Sequence, residues 1–195
     1  LDAVVLSHAH VDHILGLDDL YPLTVRTGKN MPIYASSETL EEVRITFRYL
    51  FSEKRYPGIP SLTLHAVDGP FQVGDLKFEP IPVLHGRLSI LGYRVGPFAF
   101  LTDVSDIPED SYKKLKGVRF LVLDALRERS HYSHFSLSEA AEAANRIGSE
   151  QTYLIHMCHD LDHERTNRSL PDTVSLAYDG LVWELGRRIG TPDTL

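Results

Sequence analysis

Cysteine is almost missing: Cys158 is the one thiol in 195 residues, which excludes an internal disulfide framework and any cluster of thiolate ligands. Basic charge is also scarce. Lys and Arg number 20 against 27 Asp and Glu, for a net charge of −7, so no overall positive field exists to gather nucleic acid irrespective of its sequence. No apolar run approaches the roughly twenty residues needed to cross a bilayer. Repeats, low-complexity tracts and linkers are lacking as well. These absences, with 43% hydrophobic residues, place the chain among ordinary globular proteins with one core, and its expected location is cytoplasmic. There is neither an initiator Met nor a signal pattern. Leu1 opens directly on what reads as an interior strand, so the expectation is a single domain over residues 1–195 that is truncated at its N-terminus.

What is present is a mixed α/β pattern. "LDAVVL" (1–6) reads as a buried strand, and the apolar spacing of Ile14, Leu15, Leu17 and Leu20 suits a short helix. "PIYAS" (32–36) is a second strand, after which Ser36 or Ser37 can cap a helix running through "SETLEEVRITFRYLF". "YPGIP" (56–60) is a turn. From residue 62 to 101 the pattern is strand-like, and "RFLVLDAL" adds another strand. "SLSEAAEAANRIG" predicts a helix, with Ser136 and Glu139 placed as a capping box and Gly148 as the stop. "QTYLIH", "VSLAY" and "LVWEL" follow as strands, the last two joined by a "DG" hairpin signal. A strand block followed by alternating strands and helices implies two sheets between helices.

The chemistry concentrates in "HAHVDH". In an extended loop His8 and His10 project to one side, while Asp12 and His13 begin the next turn and can serve a neighbouring position. Two adjacent metal ions are the natural occupants. One loop cannot fill two coordination shells, since each ion takes about three protein ligands plus an open position. Further donors stand at strand ends: His85 closes "PIPVLH", Asp103 follows "FAFLT", and His156 closes "TYLI". The expected assembly gives one metal His8, His10 and His85, gives the other Asp12, His13 and His156, and lets Asp103 bridge them.

The segments "SHAHVDH", "PVLHG", "LTDVSD" and "YLIHMCHD", in this order, resemble the metal-binding motifs of the metallo-β-lactamase-fold hydrolases over nearly the whole chain. The resemblance implies a four-layer αββα sandwich with a dinuclear site at the edge of two sheets. "ILGLDDLYPL", the aspartate of "LTD" and "HFSL" before a capped helix are most similar to the branch with phosphoribosyl cyclic phosphodiesterase and the tRNA 3′-processing endonuclease. Members of the family normally begin with a Gly-rich hairpin before the first histidine motif. Its absence fits the expected truncation of the N-terminal strands.

Two divalent ions about 3.5 to 4 Å apart can share a water, make hydroxide available near neutral pH, and offset charge on a phosphoryl oxygen. Asp12 would orient that hydroxide besides binding metal. His134 in "HYSHFSL" is the candidate proton donor, and matches the position where related phosphodiesterases carry a histidine beside the substrate phosphate. His131 is either a second phosphate contact or a loop residue. Asp124 either orients a ligating histidine or caps a turn. Arg87, two residues past a proposed ligand, can meet a substrate phosphate. His159, Asp160, Asp162 and His163 read as a solvated loop rather than a third metal site, Cys158 as a small packed residue, and His65 as a solvent-facing strand residue.

The expected function is a dinuclear metal-dependent phosphodiesterase acting on a small, cyclic or linear, phosphodiester through a metal-bridging hydroxide. Five histidines and two carboxylates without a thiolate suit Zn²⁺, Mn²⁺ or Fe²⁺, and the resemblance favours Zn²⁺ or Mn²⁺. An acyl or thioester hydrolase is the second reading. A metal-binding accessory protein of a cofactor pathway, like the similar pyrroloquinoline quinone accessory proteins, is the third. Nucleic acid is not the favoured partner, no membrane is expected, and unpaired strand edges leave room for a homo-oligomer.

Overall fold

The computed structural model describes residues 1–52 and 58–183. Its first half builds a three-stranded parallel sheet from β1 (Val4–Val5), β2 (Met31–Ala35) and β3 (Leu62–Ala66), ordered β1-β2-β3. Between β1 and β2 lie α1 (Val11–Ile14), a 3-10 turn over Leu15–Leu20 and α2 (Tyr21–Thr27), which ends on Gly28 in the left-handed conformation at φ 65°. Helix α3 (Ser37–Thr46) follows β2. Ser36 is its cap, with its hydroxyl accepting from the Thr39 N–H at 3.2 Å. The expected helix to residue 51 stops at Thr46 and continues as a 3-10 turn over Arg48–Phe51, because Phe47 leaves helical geometry at φ −107°, ψ 36°.

The second sheet has seven strands: β4 (Phe71–Val73), β5 (Leu76–His85), β6 (Leu88–Val95), β7 (Phe98–Leu101), β8 (Phe120–Asp124), β9 (Gln151–Ile155) and β10 (Val174–Leu176), in the order β10-β9-β8-β7-β6-β5-β4. β4 to β7 form an antiparallel meander, and β7 to β10 are parallel. The parallel crossovers carry helices α4 (Glu109–Lys114), α5 (Leu137–Ile147) and α6 (His163–Asn167). Pattern alone missed α2, α4, α6 and β4, since each is short and its apolar spacing covers less than two turns or two alternations; Asp162 and His163, expected in a solvated loop, are the cap and first residue of α6.

Alternation along the strands assigns the layers. In β2, Met31, Ile33 and Ala35 are buried in one core with Leu40 and Val43 of α3, while Tyr34 points the other way. In β8 and β9, Leu121, Leu123 and Leu154 are buried with Ala140, Ala143 and Ala144 of α5. Helices thus cover the outer faces, and the two sheets meet between them. The Tyr34 ring stacks on Phe71 at 4.6 Å, and Phe71 on Phe78 at 5.1 Å. The Tyr93 hydroxyl donates to the Leu6 carbonyl at 2.9 Å, and the Leu91 N–H to the Ser7 carbonyl at 3.1 Å. This is the αββα order that the sequence implied. At Gly92 only hydrogen fits: a Cβ would sit 2.2 Å from Leu101 Cδ2 and 2.9 Å from the Phe100 carbonyl.

Two local expectations fail. The "DG" hairpin does not form: Asp179 and Gly180 make a turn, but Leu181 to Trp183 pair with no strand, and Glu184 and Leu185 lie outside the described residues. Trp183 lies instead against the sheet, 4.7 Å from the Phe120 ring and 4.9 Å from Tyr153, so burying a large aromatic wins over continuing a ladder. His65 is half-buried rather than solvent-facing, because its ring stacks on Tyr34 at 4.8 Å. The capping box of α5 forms as expected, with Ser136 accepting from the Glu139 N–H and the Glu139 carboxylate accepting from the Ser136 N–H, and Gly148 ends the helix at φ 77°.

Candidate metal centre

Strand polarity decides where the chemistry gathers. β7, β8 and β9 run parallel, and β5 runs in their direction because two antiparallel pairings separate it from β7. Their C-terminal ends therefore share one edge. His85 ends β5, Asp103 follows β7, Asp124 ends β8 and His156 follows β9. The loop after β1 is brought to the same edge by the bonds of Leu6 and Ser7 to β6, and it delivers His8, His10, Asp12 and His13. Asp103 (φ 56°) and His156 (φ 63°) are the two non-glycine residues with positive φ among the described residues. That conformation is costly for a residue with a Cβ, and here it turns both side chains off their strands into the cluster.

Two groups result, each with donor atoms within 4.8 Å of one another: His8, His10, His85 and Asp103; and Asp12, His13 and His156. A third grouping of Asp103, His134 and His156 overlaps them. Asp103 lies between the first two, with Oδ2 3.9 Å from His8 Nε2 and 3.5 Å from His156 Nε2, and Oδ1 3.2 Å from His13 Nε2. Asp12 Oδ2 is 3.4 Å from His13 Nε2 and 3.5 Å from His156 Nε2. The rings of His8 and His10 bring Nε2 and Nδ1 to 2.9 Å. The first two groups hold the residues that the sequence reading assigned to two metals, and the third adds His134, which that reading kept apart from the ligands.

The surroundings fix which nitrogen is free. His8 Nδ1 is 3.0 Å from the Ser7 hydroxyl, and His85 Nδ1 is 2.8 Å from the Ser133 carbonyl. Each leaves Nε2 for the cluster, an arrangement common in metal-binding histidines. Burial, then the nearby imidazoles of His13 and His10, lower the His8 pKa to about 4. Burial also lowers that of His85. Both rings are then neutral at pH 7, which is the ligating form. Burial opposes ionisation of Asp103, but the close His13 ring, the Thr102 hydroxyl that donates to it and the charge of His156 outweigh burial and hold the carboxyl well below the usual range. Asp12 is also lowered: burial opposes, and His13, its own backbone N–H and His156 prevail.

An unpaired buried nitrogen tests whether these residues suit a cation. His13 Nε2 and His156 Nδ1 are buried without a hydrogen-bond partner. The His13 atom lies within ion-pair range of Asp103 but without hydrogen-bond alignment. A buried ring nitrogen left without a hydrogen-bond partner costs free energy, and a metal ion bound there in place of a proton would meet it. The residues fit divalent metal.

Beside the cluster, His134 is buried and its Nδ1 lies 3.2 Å from Asp124 Oδ1, while Asp124 Oδ2 accepts from the Phe135 N–H at 3.0 Å. Asp124 Oδ1 is also 3.7 Å from His156 Nδ1. Burial raises the pKa of Asp124. For His134 burial disfavours the charged ring, but the bond and charge of Asp124, with Asp103 and Asp12 beyond, outweigh it and the net is upward. Asp124 thus touches two histidines rather than capping a turn.

His131 is half-buried, 5.3 Å from the His134 ring, with Nδ1 near the Ser133 N–H and hydroxyl. Arg87 is exposed at the tip of the β5–β6 hairpin and is not drawn into the cluster. His159 and Asp160 are exposed and pair with each other at 3.4 Å, and no metal-holding group among the described residues includes them. Cys158 is free and partly buried. The part played by Ser133 had no sequence signal, because its carbonyl, not its side chain, holds His85.

Known proteins share this fold. The profile of the beta-lactamase superfamily domain matches residues 1–157. The chain is 42% identical over 196 residues to an octanoyltransferase of Porphyromonas gingivalis, covering 97% of this chain and 39% of that protein. It thus spans well under half of that relative. A crystal structure of a diphosphatase from the PhnP family superposes with a TM-score of 0.87 at 39% identity, over 95% of this chain and 72% of the other. Ribonuclease Z of Methanopyrus kandleri is 26% identical over 226 residues, covering 96% of this chain and 80% of the relative.

Proposed function

The chain belongs to the beta-lactamase superfamily, in the PhnP and ribonuclease Z branch of metallo-β-lactamase-fold hydrolases, and from that premise we propose that it is a dinuclear metal-dependent phosphodiesterase for a small phosphodiester. The observation that carries this reading is the convergence of His8, His10, Asp12, His13, His85, Asp103 and His156 into two donor groups around Asp103. Two bound divalent ions, Zn²⁺ or Mn²⁺ with Fe²⁺ as a further fit to this donor set, supply Lewis acidity and a lowered water pKa.

The chain's own residues supply the rest. Asp103 sets the spacing of the two donor groups by offering one oxygen to His13 and the other toward His8 and His156. Asp12, ionised and exposed, is free to accept a hydrogen bond from the attacking water and orient it. His134, its Nδ1 held by Asp124, presents Nε2 as the proton donor to the departing alkoxide. The raised pKa keeps part of it protonated near neutrality. Arg87 and His131 are left as contacts for the phosphate on the solvent side.

Acyl-group chemistry is the second reading, supported by the likeness to an octanoyltransferase, of which the chain covers 39%. Divalent ions held by the same residues would supply the Lewis acidity that polarises a thioester carbonyl. Hydrolysis of bis(4-nitrophenyl) phosphate beside a thioester, with metal counted by elemental analysis, separates the two. The proposal expects diester turnover with about two metals per chain, and loss of both turnover and metal in Asp103→Ala. Thioester turnover alone would replace it with the acyl reading. Loss of metal rather than rate in His134→Ala would make that residue a ligand, as its place near Asp103 and His156 allows.

A further inference from the structure

Tyr132 is 84% exposed, although its neighbours Ser133 and His134 are 5% and 8% exposed. A large aromatic ring left in water just before two buried residues gains nothing for the fold, although single exposed apolar residues are common. Tyr132 has company. Val11, between His10 and Asp12, is 59% exposed, and Leu88, three residues past His85, is 47% exposed. Three separate segments thus each place an exposed apolar side chain within three positions of a residue in the metal cluster.

The segment bearing Tyr132 is tightly held. The Ser133 carbonyl is bound by His85, the Ser133 N–H by His131, and the Phe135 N–H by the Val104 carbonyl and Asp124. Gly86, at φ 61° in the turn after His85, lets the hairpin tip approach it. A Cβ on Gly86 would lie 3.3 Å from Ser133 Cβ and 3.6 Å from Cδ2 and Cε2 of the Tyr132 ring. The ring edge is therefore set against the end of β5, and the His131 ring, 4.7 Å away, contacts it at a tilt of 41°. With so much of its surface open, at least one full ring face is presented to solvent. His131 links it to His134 at 5.3 Å.

Resting on the phosphodiesterase reading, we propose that Tyr132 is a specificity-determining platform on which a planar aromatic or heteroaromatic group of the substrate stacks while its phosphate enters the metal centre. A fixed ring beside the reacting centre loses little conformational freedom on stacking, and base–aromatic stacking tolerates any planar partner. The substrate class is accordingly a small phosphodiester of a nucleoside or other aryl-bearing alcohol, in preference to one with purely alkyl or sugar substituents.

The test uses two esters with one leaving group: thymidine 5′-(4-nitrophenyl phosphate) and methyl 4-nitrophenyl phosphate. Metal-loaded wild type, Tyr132→Ala and Tyr132→Trp are compared, with metal content and melting temperature measured for each. In Tyr132→Ala the ratio of kcat/KM between thymidine and methyl esters is expected to fall at least about fivefold, chiefly through KM. Tyr132→Trp is expected to restore it. Binding of thymidine 5′-monophosphate, followed by calorimetry, should weaken by a similar factor in Tyr132→Ala. An unchanged ratio with unchanged nucleotide binding overturns the platform while leaving the phosphodiesterase reading intact; an equal loss on both esters, each of which carries an aromatic leaving group, is decided by nucleotide binding in the same way, weakened binding supporting the platform and unchanged binding overturning it. If wild type hydrolyses neither ester, the phosphodiesterase reading falls by itself. Nucleotide binding then decides on Tyr132: dependence on the ring supports the platform, independence overturns it.

Discussion

Asp124→Asn changes one charge in a fully buried place and leaves the shape of the side chain alone. The carboxylate is 0% exposed and serves two partners, His134 Nδ1 at 3.2 Å and the Phe135 N–H at 3.0 Å. An amide oxygen can still accept from Phe135, but the imidazolium of His134 loses its nearest anion. Other titrating groups facing that ring are His85 at 4.6 Å, His156 at 4.8 Å and His131 at 5.3 Å between ring centres, with Asp103 and Asp12 farther off. The His134 pKa is raised because of Asp124, so removing the charge lowers it. A general acid works in its protonated form, and the alkaline limb of the kcat profile must move to lower pH. General acid catalysis is worth about 10² to 10⁴ in rate, and a loss of about 100-fold, or roughly 2.7 kcal/mol, is expected for a diester with an alcohol leaving group. With 4-nitrophenolate, which departs without needing a proton, the loss should stay under about tenfold. The folding cost is bounded by one unpaired buried donor, about 1 to 3 kcal/mol. The assay is kcat against pH on both ester types, with metal counted. Equal losses on both esters, or an unmoved alkaline limb, would refute the assignment of His134 and Asp124 as acid and orienting anion. Loss of metal with an unchanged rate per bound ion would show that Asp124 serves His156 instead, which lies 3.7 Å away.

Stripping metal with a chelator should abolish hydrolysis and lower the melting temperature, and re-added Zn²⁺ or Mn²⁺ should raise it in a concentration-dependent way, by about 2.7 kcal/mol of stability at 100 times Kd; a melting curve indifferent to metal would count against a site joining the two sheets. Ser136→Ala removes the hydroxyl that caps α5 and should cost about 1 kcal/mol, read as a drop of about 2 to 4 °C by calorimetry. Gly92→Ala forces a Cβ into Leu101 and the Phe100 carbonyl, and should destabilise by about 1 to 3 kcal/mol or more in a denaturant titration.

Much of the candidate site was legible because its potential donors are of rare types at telling places. His85, Asp103 and His156 stand directly after apolar strands, and parallel strands place such ends on one edge. The motif "HAHVDH" needed no partner to be noticed. What stayed illegible depends on backbone or on tertiary choice. The Ser133 carbonyl that holds His85 is the same in every residue type. The rotation of Asp103 and His156 into left-handed backbone leaves no trace in composition. The position of Trp183 was decided by the open face of Phe120 and Tyr153, not by the local "DG" signal that favoured a hairpin. The choice between capping and orienting roles for Asp124 needed the distance to His134.

The donors differ sharply in how far apart the chain places them. Residues 8 to 13 carry four within one loop, whereas His85, Asp103 and His156 arrive from three later strands. An emerging polypeptide therefore exposes a short, metal-competent segment long before the strands that complete the centre exist. Ions captured there would be held by the unfolded chain as well as the folded one, which would blunt the stabilisation that metal gives. Under the proposed function, folding would then have the character of a hand-over. Ions first gripped by the early stretch would become shared with the ends of the large sheet as it forms, and excess metal during refolding would hold that stretch in the wrong company.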